Sequence, residues 1–572
     1  VTATPISATK AILVVSAIGV LLTLPSLLGG LPIGHDTLTH LQWHHHFAKQ
    51  FWAGEPYPRW LSGMNAGYGS PAFFFYAPLP YMLTSLLRPL LPGDPIGLRA
   101  LGVSAALAFI ASGVACFAWL VRRSGTRAAL AGAAVYLLLP YHLVVDLYDR
   151  AAFAELWAFV WLPLVMLGAE KIACGERRGV ATLALAEGGL IATHLPAALL
   201  FAPVPFIVAA LDKREDTAAD REASSPPRLE RSKSLARTLA KLAAGAALGV
   251  ALSAVYLLPA LASRQHVLLA ESQDAARYFA NNFLFDFGGG QPYAGYLARL
   301  ALVTALSAAF VTALFVVAHR ARRREAVAWL AIAGGALLMM LAIARPLWNA
   351  MPPLQAIQFP WRFHTVVCVA GAALAARATA AFPAAGRAAR IIAFGALAMA
   401  VAFAALAVAA QRHALEERAN ADMRLLAAST EIGFEGRQFR PRWANLALFT
   451  SAPLGGIAQR AGTASMIHGE GSARAVRRSA RMMTLTTETA QDATVVVHQF
   501  YYPGWTARVA QGERLQTGPS PDGLIQIAVP AGHHEITLRL EPGASEKVGV
   551  VASAAAAIVV CALLVAPHRR LA

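Results

Sequence analysis

Charge is scarce in this sequence: 14% of its 572 residues are Asp, Glu, Lys or Arg, against 57% hydrophobic. A soluble domain carries about 25% charged residues, so water is not the main solvent of this chain. Acidic residues are the rarer sign, 32 against 49 basic, for a formal charge of +17. That balance would suggest nucleic acid in a soluble protein. Here the Lys and Arg sit between apolar runs, where they mark cytoplasmic loops, and no nucleic-acid partner is expected. Cysteine is sparse too. Cys116, Cys174, Cys368 and Cys561 lie in or beside apolar runs, which argues against a disulfide framework or a cysteine metal cluster. No phosphate-cradling Gly-rich loop, nucleophile elbow or zinc-protease motif is present, which disfavours nucleotide hydrolysis and proteolysis.

What the chain has is apolar length, with a mean hydropathy of +0.51. A membrane-spanning helix needs about 20 mostly apolar residues. Stretches of that kind occur at 11–30, 97–121, 127–146, 152–171, 178–194, 196–211, 238–260, 298–318, 326–346, 363–380, 389–411 and 547–566, which predicts a polytopic α-helical membrane protein of roughly twelve spans. The first run lacks a small-residue cleavage site and reads as a retained helix. Thr193-His194-Leu195-Pro196 separates two short runs, either as one broken helix or as a tight hairpin.

Placing the N-terminus in the cytoplasm puts Arg122-Arg123, Arg177-Arg178, the linker from Asp212 to Arg237, Arg320 to Arg324, Arg387 to Arg390 and Arg569-Arg570 on one side. The linker has no apolar period and is expected to be disordered. The other side receives loops of about 31–96, 146–155, 262–297 and 347–362, together with 412–546. In that last region Met483 to Thr486, Val495 to His498, Leu524 to Ile527 and Glu535 to Leu540 alternate as strands do, so a small antiparallel β domain is predicted. The expected organisation is a transmembrane domain over 1–411, an extracytoplasmic β-sandwich-like domain over 412–546, and a final helix with a cytoplasmic tail over 547–572.

The first outer loop carries the most chemistry. Helical spacing puts Asp36, His40 and His44 on one face. An ionisable stripe at a membrane surface suggests a polar cavity. Three readings stay open: Asp36 as a general base, Asp36 with His40 and His44 as ligands of a divalent metal, or an interfacial helix with a wet face. Arg362, just outside a helix and flanked by Phe359, Trp361 and Phe363, could grip a phosphate bidentately or anchor the helix at an aromatic belt. Arg59 is a second phosphate or sugar candidate, with a surface ion pair as the alternative. His194 either faces a cavity or stabilises the helix break. Asp146, Asp149, Arg150 and Glu155 crowd a short outer loop, where Asp149 and Glu155 rank above Asp146 as further carboxylates.

Taken in order, Asp36, Tyr57-Pro58-Arg59-Trp60, Gly67-Tyr68-Gly69, His194 with Pro196, Gln358-Phe359-Pro360-Trp361-Arg362-Phe363 and Tyr502-Pro503-Gly504-Trp505 resemble the GT-C superfamily of membrane glycosyltransferases. In particular they resemble its bacterial YfhO-type proteins and the group called 6-pyruvoyl-tetrahydropterin synthase-related membrane proteins. The resemblance spans most of the chain. It implies a sugar donor carried on polyprenyl phosphate, transfer on the outer face of a bacterial plasma membrane, and an acidic residue of the first outer loop at the catalytic centre. Asp36 matches that position. Many such proteins have two adjacent acidic residues there, whereas this chain has His35-Asp36. The expectation is inverting transfer to an extracytoplasmic glycan, lipid or protein, with Asp36 as base, Arg362, Arg59 and His194 as donor-binding residues, and Asp149 or Glu155 orienting the acceptor or a metal. The rival expectation is a lipid or polysaccharide transporter whose path these charges line.

Overall fold

Away from water, each backbone N–H must find its partner within its own segment, so apolar runs fold as helices. The computed structural model describes residues 6–211, 228–268, 277–286, 292–320 and 323–565, the last stretch without 385, 435, 437, 438, 446, 451–453 and 511. Helix occupies every apolar stretch named above. Seven segments among the described residues are long and apolar enough to cross a membrane: Leu98–Asp149, Phe153–Ala173, Ser234–Leu252, Ala294–Ala318, Pro360–Ala381, Arg387–Asn420 and Ala544–Val565. Ala8–Leu22, Gly179–Thr193 and Leu195–Leu211 are shorter apolar helices. Leu98–Asp149 contains two of the expected spans, and Gly125, at φ 73°, breaks it beside Arg122-Arg123.

Three boundaries differ from expectation. Helix begins at Arg228, inside the linker expected to be disordered as far as Arg237. The 238–260 span is divided at Ser253, whose hydroxyl donates to the carbonyls of Gly188 (3.0 Å) and Gly249 (3.1 Å), so one side chain both ends a helix and ties it to a neighbour. The 389–411 helix runs on to Asn420 and is followed by Met423–Ile432, so the first part of the 412–546 region is helical. His194 breaks the chain as its sequence suggested: its backbone is extended, and its Nδ1 accepts from the Ala197 N–H at 3.3 Å, capping the next helix.

The arginine-rich helix ends meet. Arg123 pairs with Glu170 (3.1 Å) and Glu325 (3.4 Å), Arg377 pairs with Glu325 (2.6 Å), and Arg122 pairs with Glu176. These contacts staple the ends of four helices that the charge pattern assigns to one side. Residues 212–227 of the expected linker, together with Arg322, Arg569 and Arg570, lie outside the described residues.

Nine strands follow among the described residues: β1 (Ala464–His468), β2 (Gly471–Ser479), β3 (Met482–Thr489), β4 (Ala493–Phe500), β5 (Trp505–Val509), β6 (Arg514–Leu515), β7 (Thr517–Pro519), β8 (Leu524–Val529) and β9 (Gly532–Leu540). They pair antiparallel in two sheets, ordered β1-β4-β8-β7 and β2-β3-β9-β5-β6. Alternation sends Val495 and Val497 of β4, Ile525 and Ile527 of β8, and Ile536 and Leu538 of β9 into one shared core, as period-2 patterning requires. Tyr502 and Trp505 are buried in that core.

The β domain is fastened to the first outer loop. Phe500 N–H donates to the Tyr68 carbonyl (2.9 Å), and Asn65 and Ala66 donate to the carbonyls of Gly433 (3.0 Å) and Ile432 (2.7 Å). Trp60 lies in the β-domain core. Arg59 and Arg481 converge on Glu546 at the start of the last helix (3.3 and 3.4 Å), and Arg481 also reaches Glu55 (3.2 Å).

Candidate active site

Asp36 stands at the N-cap position of helix Thr37–Trp52 without a capping bond from its side chain, and its backbone is locked to the loop at Asp149 and Arg150. His35 N–H donates to the Asp149 carbonyl (3.3 Å), and Asp36 N–H donates to that of Arg150 (2.8 Å). This approach requires glycine at position 34. A Cβ there would stand 2.7 Å from Asp149 O and Arg150 C, both backbone atoms that cannot swing away.

The second loop is shaped by a π-helical turn over Tyr141–Asp149, which follows Pro140. Arg150 N–H donates to Val145 O, five residues back, at 2.8 Å. Ala151 then adopts φ 54°, a left-handed conformation that a residue with a Cβ takes only at a cost. π-turns and strained residues concentrate at functional sites, and both occur here.

This turn makes Arg150 the hub of the site. Its Nη1 donates to Asp146 Oδ1 (2.9 Å) and Glu155 Oε2 (3.0 Å), and its Nη2 donates to Asp36 Oδ2 (3.2 Å). Tyr141 donates its hydroxyl to Glu155 Oε1 (2.9 Å). Arg362 adds a second cation, with Nε 3.4 Å from Glu155 Oε2 and Nη1 donating to the Ile357 carbonyl at 2.9 Å. Gln358, four residues before Arg362, is at φ 69°. His194 lies within electrostatic reach of Glu155 and Arg362.

Exposure separates the roles. The side chains of Asp146 and Glu155 are 0% and 1% exposed, whereas that of Asp36 is 40% exposed. Asp36 Oδ1 has no hydrogen-bond partner among the described residues, so this carboxylate is held through one oxygen and open at the other. The buried pair fixes the arginines, while the Asp36 side chain stays part-exposed.

Asp36, Glu155 and Arg362 are therefore linked through Arg150 and Glu155, with His194 nearby. Arg59 is not among them: it bonds the Val255 carbonyl (2.7 Å) and Glu546 and stacks over Tyr57 at 3.9 Å. Burial lowers its pKa below the usual guanidinium range, with nearby Tyr57 and Glu546 opposing that shift. Asp149 pairs with Arg299 at 3.8 Å, and it is Asp146, ranked below it from the sequence, that bonds Arg150.

His40 and His44 do not join Asp36 as ligands. His40 Nδ1 is 2.6 Å from Tyr81 Oη, and His44 is packed against Gly97. Burial lowers the His40 pKa to about 4, opposed by the charge of Asp36. It lowers His44 to about 3, assisted by Arg88. Among the described residues no three His, Cys, Asp or Glu side chains are placed to hold a metal ion, and Asp36, His40 and His44 do not fit a divalent ion.

Sequence reasoning missed the centrality of Arg150 and Asp146. Their four-residue spacing was the available signal, since such pairs share a helical face.

The family profile described as the 6-pyruvoyl-tetrahydropterin synthase related domain, a membrane protein, matches residues 73–415. The chain belongs to this family. Together with the seven long apolar helices, membership makes it a multi-pass membrane protein. The matched stretch contains Asp146, Arg150, Glu155, His194 and Arg362, while Asp36 and the β domain lie on either side of it. No curated protein matches the chain. Among solved structures, arabinofuranosyltransferase AftD from Mycobacteria is similar at 19% identity over 77% of this chain and 27% of that one, with a TM-score of 0.42. An oligosaccharyltransferase of Archaeoglobus fulgidus is similar at 13% identity over 77% of this chain and 57% of that one, also with a TM-score of 0.42. The chain thus spans under a third of the arabinofuranosyltransferase and under two thirds of the oligosaccharyltransferase.

Proposed function

We propose that this protein is a GT-C type membrane glycosyltransferase of the YfhO-like kind, moving a sugar from a polyprenyl-phosphate donor to an extracytoplasmic acceptor with inversion. The observation that carries this reading is the pairing of a half-open carboxylate, Asp36, with a guanidinium, Arg362, through the buried Glu155–Arg150 bridge. Glycosyl transfer needs a base for the acceptor hydroxyl and a cation for the departing phosphate, held at a fixed separation.

In this mechanism Asp36 takes the proton from the acceptor hydroxyl as its oxygen attacks the anomeric carbon. The bond from that carbon to the phosphate oxygen breaks on the opposite face. Arg362 holds the polyprenyl phosphate that leaves. Arg150, Glu155 and Asp146 touch neither reacting atom and act as positioning residues. The apolar helices provide the surface along which a prenyl chain lies. The reading takes with it a bacterial plasma-membrane location, twelve crossings, and an active site and β domain on the extracytoplasmic face.

Asp36→Asn tests this directly, because it keeps shape and removes the base. Transfer measured with a polyprenyl-phosphate sugar in nanodiscs should fall at least 100-fold, on the order of a lost general base. The melting temperature should stay close to that of the parent. Near-parental turnover would take Asp36 out of the mechanism.

A further inference from the structure

A strip of aromatic rings leads away from Arg362 and has no part in the chemistry described so far. Phe359 lies under the Arg362 guanidinium at 5.1 Å and stacks on Trp361 at 4.4 Å. Trp361 meets Tyr296 edge-on at 5.9 Å, and Tyr296 meets His35 edge-on at 5.2 Å. His35 is exposed and adjoins Asp36 in sequence, so the strip runs from the proposed phosphate grip to the residue next to the base. Three distant segments supply these rings: the first outer loop, the start of helix Ala294–Ala318, and the turn before helix His364–Ala381.

Packing alone does not account for the strip. Tyr296 Oη and Trp361 Nε1 are buried atoms without a hydrogen-bond partner among the described residues, and Trp361 as a whole is 2% exposed. Buried donors are almost always satisfied, and leaving one unpaired is costly, so two orphans on adjoining rings point to a guest that supplies the partners. The guest must have an apolar face for the rings and hydroxyls for the two orphan groups. A prenyl chain lacks the hydroxyls, and a bare phosphate lacks the apolar face. A sugar ring has both, with C–H groups on its faces and hydroxyls around its edge.

We infer that Tyr296 and Trp361, backed by Phe359 and His35, form a saccharide subsite that seats the transferred sugar between Arg362 and Asp36. This inference rests on the glycosyl-transfer reading and names the residues that select the sugar.

The test is direct binding of decaprenyl monophosphate, and of the same lipid carrying arabinose, mannose or glucose, to the full chain in nanodiscs. The parent should bind at least one glycosylated lipid about tenfold more tightly than the bare lipid, the scale of a ring contact with one or two hydrogen bonds. Tyr296→Phe, which removes only the hydroxyl, should reduce that ratio. Trp361→Leu should bring it near one, with bare-lipid affinity unchanged in both. A parent that binds the bare lipid but gains nothing from any sugar overturns the subsite and leaves the transfer reading standing. An undiminished ratio in Tyr296→Phe and Trp361→Leu overturns it as well. If neither bare nor glycosylated lipid binds, the transfer reading fails and takes the subsite with it.

Discussion

Arg150→Met gives the sharpest test of the site as built. The substitution keeps an unbranched side chain and removes the guanidinium that Asp36, Asp146 and Glu155 share. Glu155 retains Arg362 at 3.4 Å and the Tyr141 hydroxyl, and Asp36 can turn to water. Asp146 has neither recourse. It is fully buried, its Oδ2 already lacks a partner, and Oδ1 loses its own. Removing one member of a buried ion pair costs about 3–5 kcal/mol, because the remaining charge is left without compensation. A loss of that size should lower the melting temperature by on the order of 5 °C, followed by tryptophan fluorescence in a mild detergent. Because the penalty belongs to the orphaned carboxylate, adding Asp146→Asn should recover much of it, with a coupling of roughly 1–3 kcal/mol. If Arg150→Met melts within about 1 °C of the parent, or if the double variant loses the sum of both single losses, Arg150 is not the hub described here.

Three further outcomes follow from the same geometry. Gly34→Ala should force the first outer loop off the Asp149–Arg150 backbone and displace Asp36 while leaving every charged group in place; turnover should fall about 100-fold, the usual cost of a misplacement near 1 Å. Asp149→Asn should keep turnover within about threefold, because its partner Arg299 is 66% exposed and 3.8 Å away, and such surface pairs carry little energy. Acid should destabilise the fold through His40, His44 and His46, whose pKa values burial lowers to about 4, 3 and 4. The unfolded chain takes up these protons near pH 6.5, before the folded one does. Their stabilisation is therefore complete above that pH and declines as pH falls towards 4, by roughly 2 kcal/mol each at pH 5. Melting curves between pH 7 and 5 check the slope, which should flatten in His44→Leu.

The helices were legible because their signal is local: about 20 apolar residues can do little else in lipid. The β domain was legible for a similar reason, since the period-2 signal that sets Val495 opposite Ile527 and Val497 opposite Ile525 is local to each strand. Asp36 and Glu155 could be named as residue types in unusual places. What the sequence hid was geometry that depends on a single turn. Over Asp146 to Glu155 an ordinary helical turn gives no reason to rank Asp146 above Asp149. The π-turn reverses the ranking by sending Asp146 inward and Asp149 towards Arg299. Arg59 misled for a different reason. Its partner Glu546 lies 487 positions further along the chain, and no local pattern announces a contact of that span.

That long contact also sets a timetable for manufacture. Asp36 sits in a loop whose own turns depend on Ile432 and Gly433, whose Tyr68 carbonyl awaits Phe500, and whose Glu55 and Arg59 await Arg481 and Glu546. A ribosome adds 487 residues after Arg59 before Glu546 emerges. The loop that carries Asp36 is thus made early and settles late, and a nascent chain stalled before Arg481 holds Asp36 in a loop that still lacks its later partners.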